Sequence, residues 1–178
     1  ANTTQSSHTA IGYNALAANT TGHSNTAVGA YALDTNDAGS ANVAIGYAAL
    51  TANTGGSSSV AIGYNAMDSN TTGANNVAIG DDALGANTDA SYNTAIGYHA
   101  LTANTTGQYN TAVGDQALDA ITTTSYCTAV GRQALTSQTG TGQNDAFGNR
   151  AAYGVTTGSA NVCLGNHAGY NITTGDNN

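Results

Sequence analysis

The 178-residue chain contains no Pro, Trp, Lys or Glu, and only one Met, one Phe and two Cys. Its charged residues are ten Asp and two Arg, Arg132 and Arg150, which give a formal net charge of −8. Without Lys, almost nothing can neutralise a row of phosphates, which argues against a nucleic-acid partner. No apolar run approaches the ~20 residues of a membrane-spanning helix, and no basic stretch followed by an apolar one marks a signal peptide. Leu, Ile, Val and Phe account for only 24 residues. That shortage of apolar bulk, together with the net charge, would by itself point to disorder.

The periodicity of the chain overrules its composition. A Gly preceded by a bulky apolar residue stands at Gly12, Gly29, Gly46, Gly63, Gly80, Gly97, Gly114, Gly131, Gly148 and Gly165, and every interval is 17 residues. A disordered chain has no reason to hold such a register over ten units, so the chain reads as one repeat array. Numbered from four residues before that Gly, the units start at residues 8, 25, 42, 59, 76, 93, 110, 127, 144 and 161.

Within the unit, position 3 is Ala in nine cases and Cys163 in the tenth, and position 4 is always Ile, Val, Phe or Leu. Position 8 is Ala in all ten, while position 9 is Leu in seven, Met67 in one, and Ala152 and Gly169 at the end. Position 12 is Asn in the first six units, and position 13 is Thr in all but one, where Asp37 stands. Positions 1 to 5 read as a short strand with positions 2 and 4 on one face and the small Ala and Gly of positions 3 and 5 on the other. Two minimal residues imply that something packs closely against their face. Positions 8 and 9 form a second apolar step, and positions 12 to 17 have turn chemistry. Recurrent Gly and Asn make a helix the poorer reading. The expected fold is an all-β parallel solenoid of ten coils, roughly 48 Å long at ~4.8 Å per coil.

Each coil buries two or three aliphatic side chains at ~1.5–3 kcal/mol apiece, against ordering costs of about 1–2 kcal/mol per residue. An isolated thin rod is poorly supported by that balance. Sharing the Ala/Gly face or the Leu column between chains would bury more surface, so a homo-oligomer is expected.

Asn76-Val77-Ala78-Ile79-Gly80 and Ser58-Ser59-Val60-Ala61-Ile62-Gly63 resemble the head repeats of YadA-type trimeric autotransporter adhesins. Units such as Asn93 to Tyr109 are similar to repeats in phage tail-fibre proteins. The resemblance spans all ten units. It implies a trimeric, left-handed parallel β-roll with three chains about one axis, although the 17-residue unit is longer than the typical adhesin head repeat and implies an enlarged turn. Residues 1–7 fit positions 11 to 17 of a preceding unit and Asn178 begins a following one, so an interior segment of a longer fibre is expected.

Candidate sites are few. His8, His23, His99 and His167 form no column beside a column of carboxylates, and the Asp that share a position (Asp34, Asp68 and Asp119; Asp81 and Asp115) do not occupy consecutive coils, so no catalytic, cofactor or metal site is expected. Cys127 and Cys163 lie two coils apart, ~10 Å along the rod, beyond the ~7 Å at which a disulfide can close. Tyr92, Tyr109 and Tyr126 share position 17 in three consecutive coils. They form either a structural ladder or an exposed aromatic column that stacks on a surface glycan. The Thr rank at position 13 invites comparison with ice-binding solenoids, but position 11 supplies no second rank. Position 12 turns apolar at Ile121, Val155 and Ile172. Either the coil repacks there, or that end docks on another chain.

The function expected from these features is a non-enzymatic, extracellular structural or adhesive fibre segment on a cell surface or virion. A self-assembling extracellular filament and an ice-binding solenoid are the alternatives.

Overall fold

The computed structural model describes residues 7–178 as one all-β parallel solenoid. Ten strands stack in sequence order in a single parallel sheet: β1 (Thr9–Ile11), β2 (Thr26–Val28), β3 (Val43–Ile45), β4 (Val60–Ile62), β5 (Val77–Ile79), β6 (Thr94–Ile96), β7 (Thr111–Val113), β8 (Thr128–Val130), β9 (Asn144–Phe147) and β10 (Asn161–Leu164). Each residue pairs with the one 17 later, as Ala44 with Ala61 and Ala61 with Ala78. Coils are numbered 1 to 10 with their strands.

The strands are short, but hydrogen bonding between coils continues around the perimeter. The Gln116 N–H donates to the Tyr98 carbonyl in the coil before (2.9 Å), and the Leu101 N–H donates to the Ala117 carbonyl in the coil after (3.0 Å). Residues at positive φ recur in each coil and shape this path. Positions 7 and 9 hold φ between +51° and +65° in every coil, with Leu at position 9 in seven of them. A left-handed Leu costs on the order of 1–2 kcal/mol, a cost that the inter-coil bonds and the burial of the same Leu offset.

The interior is unlike an ordinary hydrophobic core. Positions 3, 8 and 9 point inward, and Ala44, Ala49, Leu50, Ala61, Ala66 and Met67 belong to one continuous buried cluster. The expectation that chains share the Ala face or the Leu column is therefore corrected: both are already used inside each coil. What packs against the Ala at position 3 is the opposite wall of its own solenoid. Positions 2 and 4 face outward.

Two Asn columns complete the interior. At position 1, Asn93 Nδ2 donates to the Gly107 carbonyl (2.8 Å) and its Oδ1 accepts the Asn110 N–H (2.9 Å). At position 12, Asn36 donates to Asn19 Oδ1 (2.7 Å), Asn53 to Asn36 (2.7 Å), Asn70 to Asn53 (3.0 Å) and Asn87 to Asn70 (2.7 Å). All these Asn are fully buried, and burial without such partners would cost about 1–3 kcal/mol per group. Turn chemistry assigned position 12 to the loop; the amide instead turns in and makes a ladder.

The Gly column faces the next coil of its own chain. A Cβ on Gly97 would lie 2.6 Å from the carbonyl of Gly114, and φ along the column runs from +126° to +144°. Only Gly holds that conformation with a neighbouring backbone so close.

Ile121 and Val155 have no exposed surface, and Ile172 packs half-buried against the same cluster. Position 12 points inward whether it is Asn or aliphatic, so Ile121 and Val155 offer no surface for docking. The last coils are repacked: Val155 accompanies Ala152, and Ile172 accompanies Gly169, where Leu is missing from position 9.

Candidate functional site

With the interior closed, the outer surface carries whatever recognition the chain performs. Positions 2 and 4 of the sheet stack Thr or Val beside Ile or Val from coil to coil. Ile45, Ile96 and Phe147 are 36–39% exposed, and Val162 and Leu164 more so. Only one charged side chain, Asp145, stands in these two columns. The result is an apolar strip on an acidic rod, built from the residues that the inward face leaves out.

Position 6 borders that strip and carries its own aromatic file. Tyr13 and Tyr31 meet edge to face at 5.4 Å, as do Tyr31 and Tyr47 at 5.7 Å, and Tyr47 and Tyr64 stack at 5.2 Å. Tyr31 stands at position 7, beside Ala30, so it bridges the gap that Ala30 leaves in the file. Strict column counting misses this ring; reading adjacent positions together would have found it.

The file at position 17 is more regular. Tyr92 and Tyr109 lie 5.0 Å apart with an interplanar angle of 3°, and Tyr109 and Tyr126 lie 5.2 Å apart at 5°. Each ring covers its neighbour, so the two faces of Tyr109 are occupied and the file presents its edges and hydroxyls to solvent. Tyr153 and Tyr170 form a further stacked pair at 5.0 Å, with the Arg150 guanidinium 5.6 Å from the Tyr153 ring centre.

The titratable groups are dispersed. His99 Nε2 lies 3.4 Å from Asp82 Oδ2, and its ring stacks on Tyr98 at 3.9 Å. His8 replaces Asn in the position-1 column and accepts the Asn25 N–H through Nδ1 (3.2 Å). His23 Nδ1 lies 3.4 Å from Ser24 Oγ at the surface. Arg132 pairs with Asp115 (3.1 Å) on an open face, where a pair contributes little. Asp68 lines a notch of about 240 Å³ that opens where Gly85 lacks a side chain. Partial burial pushes the Asp68 carboxyl above its ordinary range, helped by Asp82 nearby, and desolvation does the same to Asp119. Among the described residues, no group of three or more His, Cys, Asp or Glu is placed to hold a metal ion. Cys127 and Cys163 are both free and buried, and burial pushes both thiols up.

The Thr rank at position 13 spends its hydroxyl protons on the rod itself. Thr54, Thr71 and Thr105 donate to the carbonyl of the next rank member at 3.0–3.2 Å. That is the geometry of a structural ladder. No helix among the described residues is long and apolar enough to cross a membrane. No protein family, curated protein or solved structure matches the chain.

Proposed function

We propose that this chain is a non-enzymatic structural and adhesive segment of an extracellular fibre, in which three copies pack about a common axis through their outer sheet faces. One observation carries the reading: an apolar strip at positions 2 and 4 runs the length of an otherwise polar, acidic rod, with no partner within the chain. Contiguous apolar surface of this kind marks an association face. The interior holds mainly Ala, Leu and Asn, so it supplies little hydrophobic stabilisation per residue, and covering the outer strip would add what a single rod lacks. The resemblance of the Val-Ala-Ile-Gly units to YadA-type heads and tail-fibre repeats supports the same arrangement.

The test is native mass spectrometry and negative-stain microscopy of the chain and of Ile62→Asp/Ile79→Asp. Discrete three-chain rods, dissociated by the double substitution, are expected. A folded single chain at tens of micromolar would overturn the reading. Open-ended polymers would favour a self-assembling filament instead.

A further inference from the structure

The Tyr file at position 17 stops after Tyr126, where Gln143 and Ala160 follow, and the turn of coil 8 departs from the repeat at the same place. In coils 1 to 6 the Asn at position 12 donates to the carbonyl three residues on, as Asn104 does to Gly107 (3.0 Å). In coil 8 that position is Gln138, one methylene longer, and its amide reaches the Gly142 carbonyl four residues on. The turn is displaced by one residue. Position 17, left-handed in coils 5 to 7 where the Tyr stand, is no longer so at Gln143.

An open groove of about 420 Å³ lies at this break, lined by Thr141, Gly142, Gln143, Thr157, Ser159 and Ala160. Gln143 and Ala160 stand where the next two rings of the file would be. The Thr ladder of position 13 runs past it, with Thr156 bonding the next coil through its hydroxyl, but the side chains of Thr141, Gln143 and Thr157, which lie outside that rank, make no hydrogen bond within the described residues. Ser159 Oγ donates to Asp176 Oδ1 (3.0 Å) and keeps its lone pairs open. Tyr126 stands one coil before Gln143, next to the groove's lining rather than in it, and is 58% exposed against 47% for the enclosed Tyr109 and 51% for Tyr92 at the other end of the file.

We propose that this groove is a saccharide subsite. A neutral sugar ring takes the place of the missing rung, its C–H face on Tyr126 and its hydroxyls bonded by Thr141, Gln143, Thr157 and Ser159. An aromatic platform beside uncommitted hydroxyl and amide groups suits a ligand with one apolar face and many hydroxyls. No cation lines the groove, and the chain is acidic, which disfavours anionic sugars. Glycan contact thus belongs to the open end of the file, since its inner ring faces are covered. The inference rests on the adhesive reading above only for the source of the sugar, a surface glycan.

The test is saturation-transfer NMR of the assembled protein with methyl α-D-glucopyranoside, methyl β-D-galactopyranoside and N-acetylglucosamine as probes. At least one should receive saturation at its ring protons. The signal should fall at least tenfold in Gln143→Tyr, which extends the file over Tyr126, and in Thr157→Ala should that variant fail to fold. It should persist in Tyr92→Ser, at the opposite end. The proposal is overturned by silence from all three sugars, by a signal unchanged in Gln143→Tyr or Thr157→Ala, or by equal loss in Tyr92→Ser. Three-chain rods that bind none of the sugars sink the groove alone, whereas a sugar-binding single chain sinks the fibre reading alone.

Discussion

The sulfur of Cys163 fills the space that a side chain on Gly169 would need. A Cβ at Gly169 would collide with Cys163 Sγ and come within 3.2 Å of Ile172 Cδ1. In seven other coils position 3 is Ala and position 9 is Leu; in coil 10 the volume has moved from the Leu to the Cys and the Ile. The backbone is no obstacle, since Leu holds a similar left-handed φ at the same place in coils 1 to 3 and 5 to 8.

Gly169→Leu alone should therefore destabilise the chain by about 1–3 kcal/mol through overpacking. Combined with Cys163→Ala and Ile172→Asn, which restore the usual coil, it should recover most of the loss. Thermal melts of the single and triple variants read the coupling. Additive losses would mean that the three positions do not share one space.

Much of this was legible from the repeat alone. The 17-residue register gave the coil, the strand and the Gly column, because each is a property of spacing. What each column faces was less legible, since a period does not say whether the neighbour is another coil or another chain. The minimal side chains at positions 3 and 5 correctly announced a close contact, yet the contact is internal. The Asn at position 12 was hidden by ambiguity, since Asn serves turns and buried ladders equally well. The left-handed Leu at position 9 left no trace, because Leu carries no preference for that conformation. The groove at coil 8, beside the turn where Gln138 bonds the Gly142 carbonyl, is visible only in three dimensions.

The Gly column supplies a sharper prediction. Gly80→Val places a branched side chain against the Gly97 backbone at a φ of +137°. Backbone strain and clash together should cost more than about 3 kcal/mol. Gly165→Ala meets nothing closer than the Ala168 Cβ at 3.9 Å, so only the conformational cost applies and the loss should be smaller. Equal melting temperatures for Gly80→Val and the unsubstituted chain would refute the coil-stacking explanation.

The acid range offers a third measurement. The Asp68 carboxyl is raised above its ordinary 3.8 chiefly by burial, with Asp82 adding to it and Ser69 opposing it. A carboxyl raised on folding binds its proton more tightly in the folded state. Its contribution is therefore most favourable below about pH 3.8 and becomes unfavourable as pH rises through the raised value. Asp68→Asn should stabilise the chain at pH 7, by less than about 1 kcal/mol because the group is part-exposed and screened, and should change little at pH 3. Urea melts at both values decide it, and a loss at pH 7 would reverse the assignment.

The Asn ladder gives the last prediction. Among the described residues, Asn104 Oδ1 is the one buried side-chain atom without a hydrogen-bond partner. The reason is positional: each rung accepts from the rung after it, and the next rung is Ile121. Asn104→Leu removes that orphan but takes the donor from Asn87 Oδ1, which Asn104 reaches at 3.4 Å. The orphan moves back by one coil and their number stays the same. Asn70→Leu is different. It strips the donor from Asn53 Oδ1 and leaves the Asn104 orphan in place, while Asn87 Nδ2 loses one acceptor but keeps the Ala90 carbonyl (3.1 Å). After Asn104→Leu the Gly107 carbonyl still accepts from Asn93, whereas Asn70→Leu takes from the buried Gly73 carbonyl its one side-chain donor, since Ser59 stands where Asn would supply a second. The interior rung should thus cost more than the terminal one, by about 1–3 kcal/mol for each additional buried group left without a partner, Asn53 Oδ1 and the Gly73 carbonyl. Chemical melts of the two variants side by side measure the difference, and equal losses would mean that the amides act as separate side chains rather than as one ladder.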